Sequence, residues 1–483
     1  MRFKPITSAF RPLTMGIAVS SVFLTACTSI EPQGVSDSNI SIPAQWQQLE
    51  TQDSAESYTA DSISQWWTLF NDPVLEKLIE EGLNNSPDIL TAVSRVIEAR
   101  AQKSITRSSL LPSLTAGVGA GKNHTRNRDT DTSNSEESFT TSLDASWEID
   151  LFGKLRQELD SSKATLAATE EDFRSAQASL SAEIATAYVS LRAYELEYEI
   201  TKRDLDIQEE TLDLTKFKAQ SGDVSDFDVQ SSVASLEETK ASLPTLEYNL
   251  TTSRNQIATL LGKKPGELDS LLGSSTEIPS APASIAAGIP AEILAQRPDV
   301  RAAKYSVFAA VASMKANERE RFPSLKLSGS IGTAAYDSGD FFDPSQIVSS
   351  ALASLTAPIF DSGKIRKQIK ISREGAKQAI YAYDSVLLTA LSDVENALSY
   401  NKHSKSRLAS LKKAVTASTE AHKLAKIQYE AGSIDIVTLL SAESSLLSSK
   451  LQLASTQQDM TTAQIQLFKA LGGGWTQEIP TNQ

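Results

Sequence analysis

Between Phe139 and Asp150 the chain alternates strictly. Phe139, Thr141, Leu143, Ala145, Trp147 and Ile149 take turns with Thr140, Ser142, Asp144, Ser146, Glu148 and Asp150. A period of two puts alternate side chains on opposite faces of a strand. Leu114, Ala116, Val118 and Ala120 alternate with Ser113, Thr115, Gly117 and Gly119, and Leu325, Leu327 and Ile331 with Lys326, Ser328 and Ser330. A fourth segment fits less well, because Val348 and Leu352 fall on its polar face. The pattern predicts four strands, at about 113–122, 138–150, 324–334 and 346–359, with the polar stretches 122–138 and 335–345 as loops.

Elsewhere the period is helical. Residues 154–221 contain neither Gly nor Pro, enough for a helix of ~100 Å at ~1.5 Å per residue. Residues 376–431 are equally unbroken after a lone Gly375. Each stretch meets a glycine, Gly222 or Gly432, and turns into a further helical pattern, 224–261 or 434–471, with Pro244 expected to kink the first. Spacings such as Leu180-Ile184-Ala187-Leu191 and Leu439-Leu446-Leu453 make apolar stripes between wet faces. Isolated helices of this length are marginal, so they must pack laterally. Shorter helices are expected to open at Pro87-Asp88 and Pro298-Asp299, where a first-turn proline lacks only a donor that would be orphaned anyway.

These elements are written twice. Ser86-Pro87-Asp88 precedes Pro112-Ser113-Leu114 as Arg297-Pro298-Asp299 precedes Pro323-Ser324-Leu325. Gly153-Lys154-Leu155-Arg156 matches Gly363-Lys364-Ile365-Arg366, Gly222 matches Gly432, and Leu261-Gly262 matches Leu471-Gly472. A repeat of about 210 residues is too long for a solenoid unit and reads as a duplicated half-molecule. The repeats are assigned to 71–263 and 291–472, with a Pro/Gly/Ser-rich linker at 264–290 and a tail at 473–483.

The amino terminus carries Arg2, Lys4 and Arg11 before a short apolar run, the pattern of a secretory signal rather than a membrane span. Leu24-Thr25-Ala26-Cys27 resembles a bacterial lipobox, and Cys27 is the only cysteine of the chain. The assignment is a signal peptide at 1–26 and a lipidated, extended segment at 27–70. Diacylglycerol and an N-acyl chain are expected on Cys27, and Thr28 after it implies sorting to the outer membrane of a Gram-negative bacterium.

Composition narrows the chemistry. A net charge of −14 argues against a nucleic-acid partner, and one cysteine excludes a disulfide framework. His124, His403 and His422 are scattered, so no metal site is expected. No GxxxxGK[ST] and no GxSxG is present, so neither ATP hydrolysis nor esterase chemistry has support, and no enzyme activity or cofactor is expected.

Four amphipathic strands suit an outer-membrane β-barrel but cannot close one, and an open edge in hydrocarbon leaves N–H and C=O groups unsatisfied at several kcal/mol each. Several copies would close it, three giving twelve strands. A soluble sheet packed on a helical bundle is the competing reading.

The ordered set of lipobox, Arg297-Pro298-Asp299, Phe322-Pro323-Ser324-Leu325, Asp150-Leu151-Phe152-Gly153-Lys154, the two glycine turns and Ala470-Leu471-Gly472-Gly473-Gly474-Trp475 resembles the TolC-like outer-membrane factors, in their lipoprotein (NodT/OprM-type) branch. The resemblance implies a mostly α fold with a small β part. Long coiled-coil-like helices would form a trimeric α-barrel, joined to a trimeric twelve-stranded β-barrel in outer-membrane lipid. It implies a passive efflux channel, a homotrimer partnered by a periplasmic adaptor and an inner-membrane transporter of the RND type.

It also implies a gate at the Gly222 and Gly432 turns. The Asp–Tyr hydrogen bond that latches neighbouring hairpins in similar proteins falls on Asp228 and Tyr429, while an arginine of some relatives falls on Ile434. The carboxylates that ring the narrowest point fall on Thr438 and Ser441, so Asp223, Asp226 and Asp435 are the candidate substitutes. The alternative function is a structural coiled-coil lipoprotein without channel activity, which explains the lipobox and helices but not the alternating strands or the duplication.

Overall fold

A computed structural model describes residues 40–48, 63–127, 129–280, 290–336, 345 and 347–476. Cys27 and the signal segment lie outside the described residues. After a 3-10 helix, Trp66–Phe70, come α1 (Pro73–Asn85) and α2 (Pro87–Ser108), then β1 (Ser113–Asn127) and β2 (Thr132–Ile149). The long helices α3 (Lys154–Gln220) and α4 (Asp226–Leu260) follow, then the short α5 (Asp269–Leu272) and α6 (Pro290–Gln296). The second half repeats the order: α7 (Pro298–Arg319), β3 (Ser324–Ala335), β4 (Ile347–Thr356), α8 (Lys364–Glu430) and α9 (Ile436–Ala470). Helices α3 and α8 are each 67 residues long, and α4 and α9 each 35. Neither Gly375 in α8 nor Pro244 in α4 ends its helix.

The four strands form one antiparallel sheet in the order β1-β2-β3-β4. Its register fixes the faces, because directly opposed residues share one. Leu114 faces Ala145, Leu143 faces Ile331, and Leu325 faces Leu355, so these side chains form one apolar face. Within this chain that face is open, with Val118 81% exposed and Leu114, Leu143, Ile331, Ile347 and Leu355 also exposed. Val348 and Leu352 pair with Gly332 and Ser328 on the other face, as the alternation predicts.

Two sequence readings are corrected here. The stretch 122–138, expected as a loop, continues the hairpin as strand, with Lys122 paired to Glu137, His124 to Ser135 and Asn127 to Thr132. Backbone pairing does not need an apolar face, and cross-strand bonds such as Lys122 Nζ to Glu137 Oε1 at 2.8 Å hold the extension. The segment 27–70, expected to be extended, contains the 3-10 helix Trp66–Phe70. Trp66, Trp67 and Phe70 are buried, and the Trp66 ring stacks on Phe468 at 5.8 Å.

Strand passes to helix at two matching junctions. Asp150 accepts from the backbone N–H groups of Leu155 and Arg156, at 3.3 and 3.0 Å. Asp361 accepts from those of Gly363 and Ile365, at 2.8 and 2.7 Å. Each carboxylate satisfies donors at the start of a long helix that the helix itself cannot. Phe152 and Phe322 stack beside the first junction with ring centres 5.0 Å apart.

The main core gathers the sheet-proximal half of α3, with Phe173, Ile184, Tyr188 and Leu191, the 3-10 helix, α1, and the end of α9 at Ile465, Leu467 and Phe468. Asp72 caps α1 through Val74 and Leu75 and accepts the Tyr188 hydroxyl at 2.8 Å. Burial pushes that hydroxyl up to about 12. The end of the described chain is part of this packing, since Gly474 N donates to Ser64 O at 3.1 Å.

Arg297 ties the second repeat together. Buried at the start of α7, it donates to Asp299 Oδ2 at 2.7 Å, Asp393 Oδ2 of α8 at 3.1 Å and the Ala470 carbonyl of α9 at 3.1 Å. Burial alone would raise the Asp299 carboxyl, but the hydrogen bonds and charge of Arg297 hold it below its ordinary value. Arg297→Met is expected to destabilise the protein by ~2–4 kcal/mol, short of a fully buried pair because both carboxylates are partly exposed. The Asp299 contribution is present above the ordinary carboxylate value and is lost as pH falls through the lowered one. Thermal melts of both proteins should therefore converge in acid.

Candidate functional site at the hairpin turns

The ends of the long helices far from the sheet are two hairpin turns built alike. After α3, Gly222 N donates to Ala219 O and Asp223 N to Lys218 O, at 3.0 and 2.9 Å. After α8, Gly432 N donates to Tyr429 O and Ser433 N to Gln428 O, at 3.0 and 2.8 Å. These bonds satisfy the last helical carbonyls only if the glycine takes a left-handed conformation, and Gly222 and Gly432 have φ of 81° and 72°. The sequence alone marks these turns.

The following helices are capped with the same parts in exchanged places. At α4 the cap residue is Ser225, whose N–H and hydroxyl both donate to Asp228 Oδ2, at 2.8 and 2.9 Å. At α9 the cap residue is Asp435, whose carboxylate accepts the Thr438 N–H at 2.8 Å and is held below its ordinary pKa by Thr438. The spacing Ser225-x-x-Asp228 before a helical run is the sequence signal for the first of these caps.

Tyr429 lies inward of the turns, 1% exposed. Its hydroxyl is 3.0 Å from Thr215 Oγ1 of α3. Thr215 already donates to the Thr211 carbonyl at 2.8 Å, so the tyrosine is the donor. Lys218 Nζ donates to the Tyr429 carbonyl at 2.6 Å and lies 4.8 Å from its ring centre. Burial raises the Tyr429 hydroxyl above its ordinary pKa, and the Asp228 charge adds to the rise. Asp228 and Tyr429 thus share one neighbourhood, but within the chain each is hydrogen-bonded elsewhere: Asp228 to Ser225, Tyr429 to Thr215. The resemblance implied Tyr429 and Asp228 and gave no sign of Thr215 and Lys218, which hold Tyr429.

Around Tyr429 a small apolar cluster of Ala425, Ile436 and Leu439 closes the second hairpin, and Leu214 of α3 packs against it. Asp223, Asp226, Asp435, Thr438 and Ser441 are all exposed on this end of the chain. Asp435 and Thr438 are bonded to one another, and the Ser441 carbonyl accepts the Ser445 hydroxyl at 2.7 Å. The arrangement offers hydrogen bonds and negative charge beside a turn. Among the described residues no helix is long and apolar enough to cross a membrane, and no group of three or more His, Cys, Asp or Glu could hold a metal.

A family model described as outer membrane efflux protein matches residues 78–263 and 289–473, one match for each repeat. The pyoverdine export outer membrane protein OpmQ of Pseudomonas putida is 30% identical over 468 residues, 95% of this chain and 97% of its own. The solved outer-membrane channel OprN superposes with a TM-score of 0.81 at 31% identity, covering 88% of this chain and 98% of its own. The open state of the MtrE outer membrane channel of Neisseria gonorrhoeae superposes with a TM-score of 0.76 at 28% identity, over 91% of this chain and all of its own.

Thr215→Val strands the buried Tyr429 hydroxyl and should destabilise the turn region by ~1–3 kcal/mol; Tyr429→Phe leaves Thr215 its bond to the Thr211 carbonyl and should cost ~0.5–1.5 kcal/mol. The double variant should fall short of the sum by ~0.5–1.5 kcal/mol, measured by amide exchange at 210–220 and 425–435. Strict additivity would dissociate the two side chains.

Proposed function

The chain belongs to the outer membrane efflux protein family, and we propose that this outer-membrane efflux channel is the passive, trimeric exit duct of a tripartite pump. The observation that carries the reading is the four-stranded sheet with one exposed apolar face, joined without interruption to helices of 67 residues. Three copies would supply twelve strands for a barrel closed in lipid and, from α3, α4, α8 and α9, twelve helices for a periplasmic tube. The duct passes small toxic solutes without transforming them, and no cofactor takes part.

Cys27 anchors the chain through its acyl groups, beside the strands that span the membrane. A periplasmic adaptor and an inner-membrane transporter of the RND type dock at the end bearing Gly222 and Gly432, the transporter supplying the energy. Tyr429 is the centre of the latch there, with Asp228 as the charged group that neighbouring hairpins share when the trimer closes. A hydrogen bond to a charged group contributes only ~1.5–3 kcal/mol, an amount that docking can overturn. Asp223, Asp226 and Asp435, threefold repeated, would focus a negative potential at the aperture beside Thr438 and Ser441, favouring cations. The solved open state of a related channel supports a gate that moves.

Planar-bilayer recording of the purified protein tests the proposal. A closed duct should give small currents that grow several-fold in Asp228→Ala and in Tyr429→Phe, the double variant adding little beyond either. A structural lipoprotein would give no conductance in any variant, and that outcome would sink the channel reading.

A further inference from the structure

The seam between the two hairpins changes character along its length. In the sheet-proximal half of α3 the inward positions are Leu180, Ile184, Ala187 and Leu191. Toward the turn they are Thr201, Asp204, Gln208, Thr211 and Thr215, still spaced three and four apart and all buried. That is coiled-coil spacing occupied by polar side chains. Gln208 Nε2 donates to Asp204 Oδ2 at 2.8 Å and to Thr239 Oγ1 of α4 at 2.9 Å. Thr211 Oγ1 donates at 2.7 Å to Oε1 of Glu443, an α9 residue only 1% exposed. His422 of α8 brings its Nε2 to 3.5 Å from the same oxygen. Among the described residues, Glu443 Oε2 and Gln208 Oε1 have no hydrogen-bond partner.

Four helices thus enclose two carboxylates and an imidazole where a coiled coil ordinarily places apolar groups. The duplication provides an internal comparison. At the offset of 210 residues, Asp204 corresponds to Ala414, Thr211 to Ala421, His422 to Leu212 and Glu443 to Val233. Each titratable member therefore stands where the other repeat has an apolar residue.

We propose that Asp204, Glu443 and His422 form a proton-operated lock between the hairpins, holding them together when the cluster carries a proton and loosening them when it gives the proton up. The idea rests on the efflux-duct reading above and adds to it a signal that acts on the gate. Burial drives the Asp204 carboxyl up to about 6; the Gln208 bond opposes this, the Glu443 charge adds to it, and Lys450 and His422 oppose it. A carboxyl raised in the packed arrangement binds its proton more tightly there than in water. Packing is therefore favoured below pH 6 and weakens as pH rises through that value. Separation would hydrate Asp204 and return it towards ~3.9. Linkage from this group alone makes the separated form about tenfold more populated, relative to the packed one, at pH ~7.5 than at pH ~5.

The experiment is bilayer recording of the full-length protein and of Asp204→Asn at both pH values, with Glu443→Gln as a second variant. The wild type should lose about tenfold in open probability on going to the acidic buffer. Asp204→Asn, which cannot ionise, should stay at the low level throughout. Glu443→Gln removes a charge that raises Asp204, so its midpoint should move to lower pH. Wild type and Asp204→Asn sharing one pH profile would overturn the lock while leaving the channel intact. If no protein conducts, the duct reading fails first, and amide exchange at 201–215 and 439–450, corrected for its intrinsic pH dependence, decides the lock. Faster exchange near neutrality in the wild type alone supports it, and equal change in both proteins refutes it.

Discussion

A strand at the edge of a sheet has donors and acceptors along one side that its own sheet cannot pair, and hydrocarbon offers them nothing. In this chain β1 and β4 occupy those edges, while one face of the sheet between them presents Leu114, Val118, Ile331 and Leu355 outward. The two facts pull in opposite directions for a single chain. An apolar face favours lipid, and bare edges forbid it. Meeting identical edges on further copies removes the conflict, so closure by several copies, which the proposed trimer supplies, follows from hydrogen bonding before any question of transport arises. The junctions at Asp150 and Asp361 then make whatever closes the sheet also gather the helices, because α3 begins five residues after β2 ends and α8 eight residues after β4.

Much of this was legible from periodicity. Alternation located the strands and assigned Val348 and Leu352 to the polar face, and runs without Gly or Pro located the long helices. What periodicity missed has a common cause. The extension of the β1-β2 hairpin is held by backbone pairing and by polar pairs such as Lys122–Glu137, which leave no apolar rhythm. The 3-10 helix at Trp66–Phe70 is too short for a period, and its Trp66 stacks on Phe468, a residue some 400 positions away in the chain.

The latch was legible as an address but not as a set of bonds. The family resemblance, matched from the turn glycines, places the pair on Asp228 and Tyr429, yet a carboxylate three residues after a serine at a helix start has a nearer partner. Local capping of Ser225 takes the Asp228 oxygen, and Tyr429 turns to Thr215. The proposed latch between hairpins therefore competes with a cap inside one of them. In that proposal the competition makes the gate adjustable, since either bond can satisfy the same carboxylate.

The two repeats share helix lengths and turn geometry, so their differences mark where the duplicated design has diverged. The apolar core clusters in the sheet-proximal half, where α1, the 3-10 helix and the end of α9 crowd α3. At the far end the apolar seal shrinks to a few residues around Tyr429, and the seam above it becomes polar on the α3 side. Buried polar contacts contribute less net adhesion than apolar ones, because separation restores their hydration. Stability is thus graded along one continuous pair of helices, highest beside the sheet and lowest at the turns. The proposed duct, closed in lipid and opening at its far end, is served by that gradient. Making the seam Leu-rich throughout would strengthen the hairpins and remove their freedom to part.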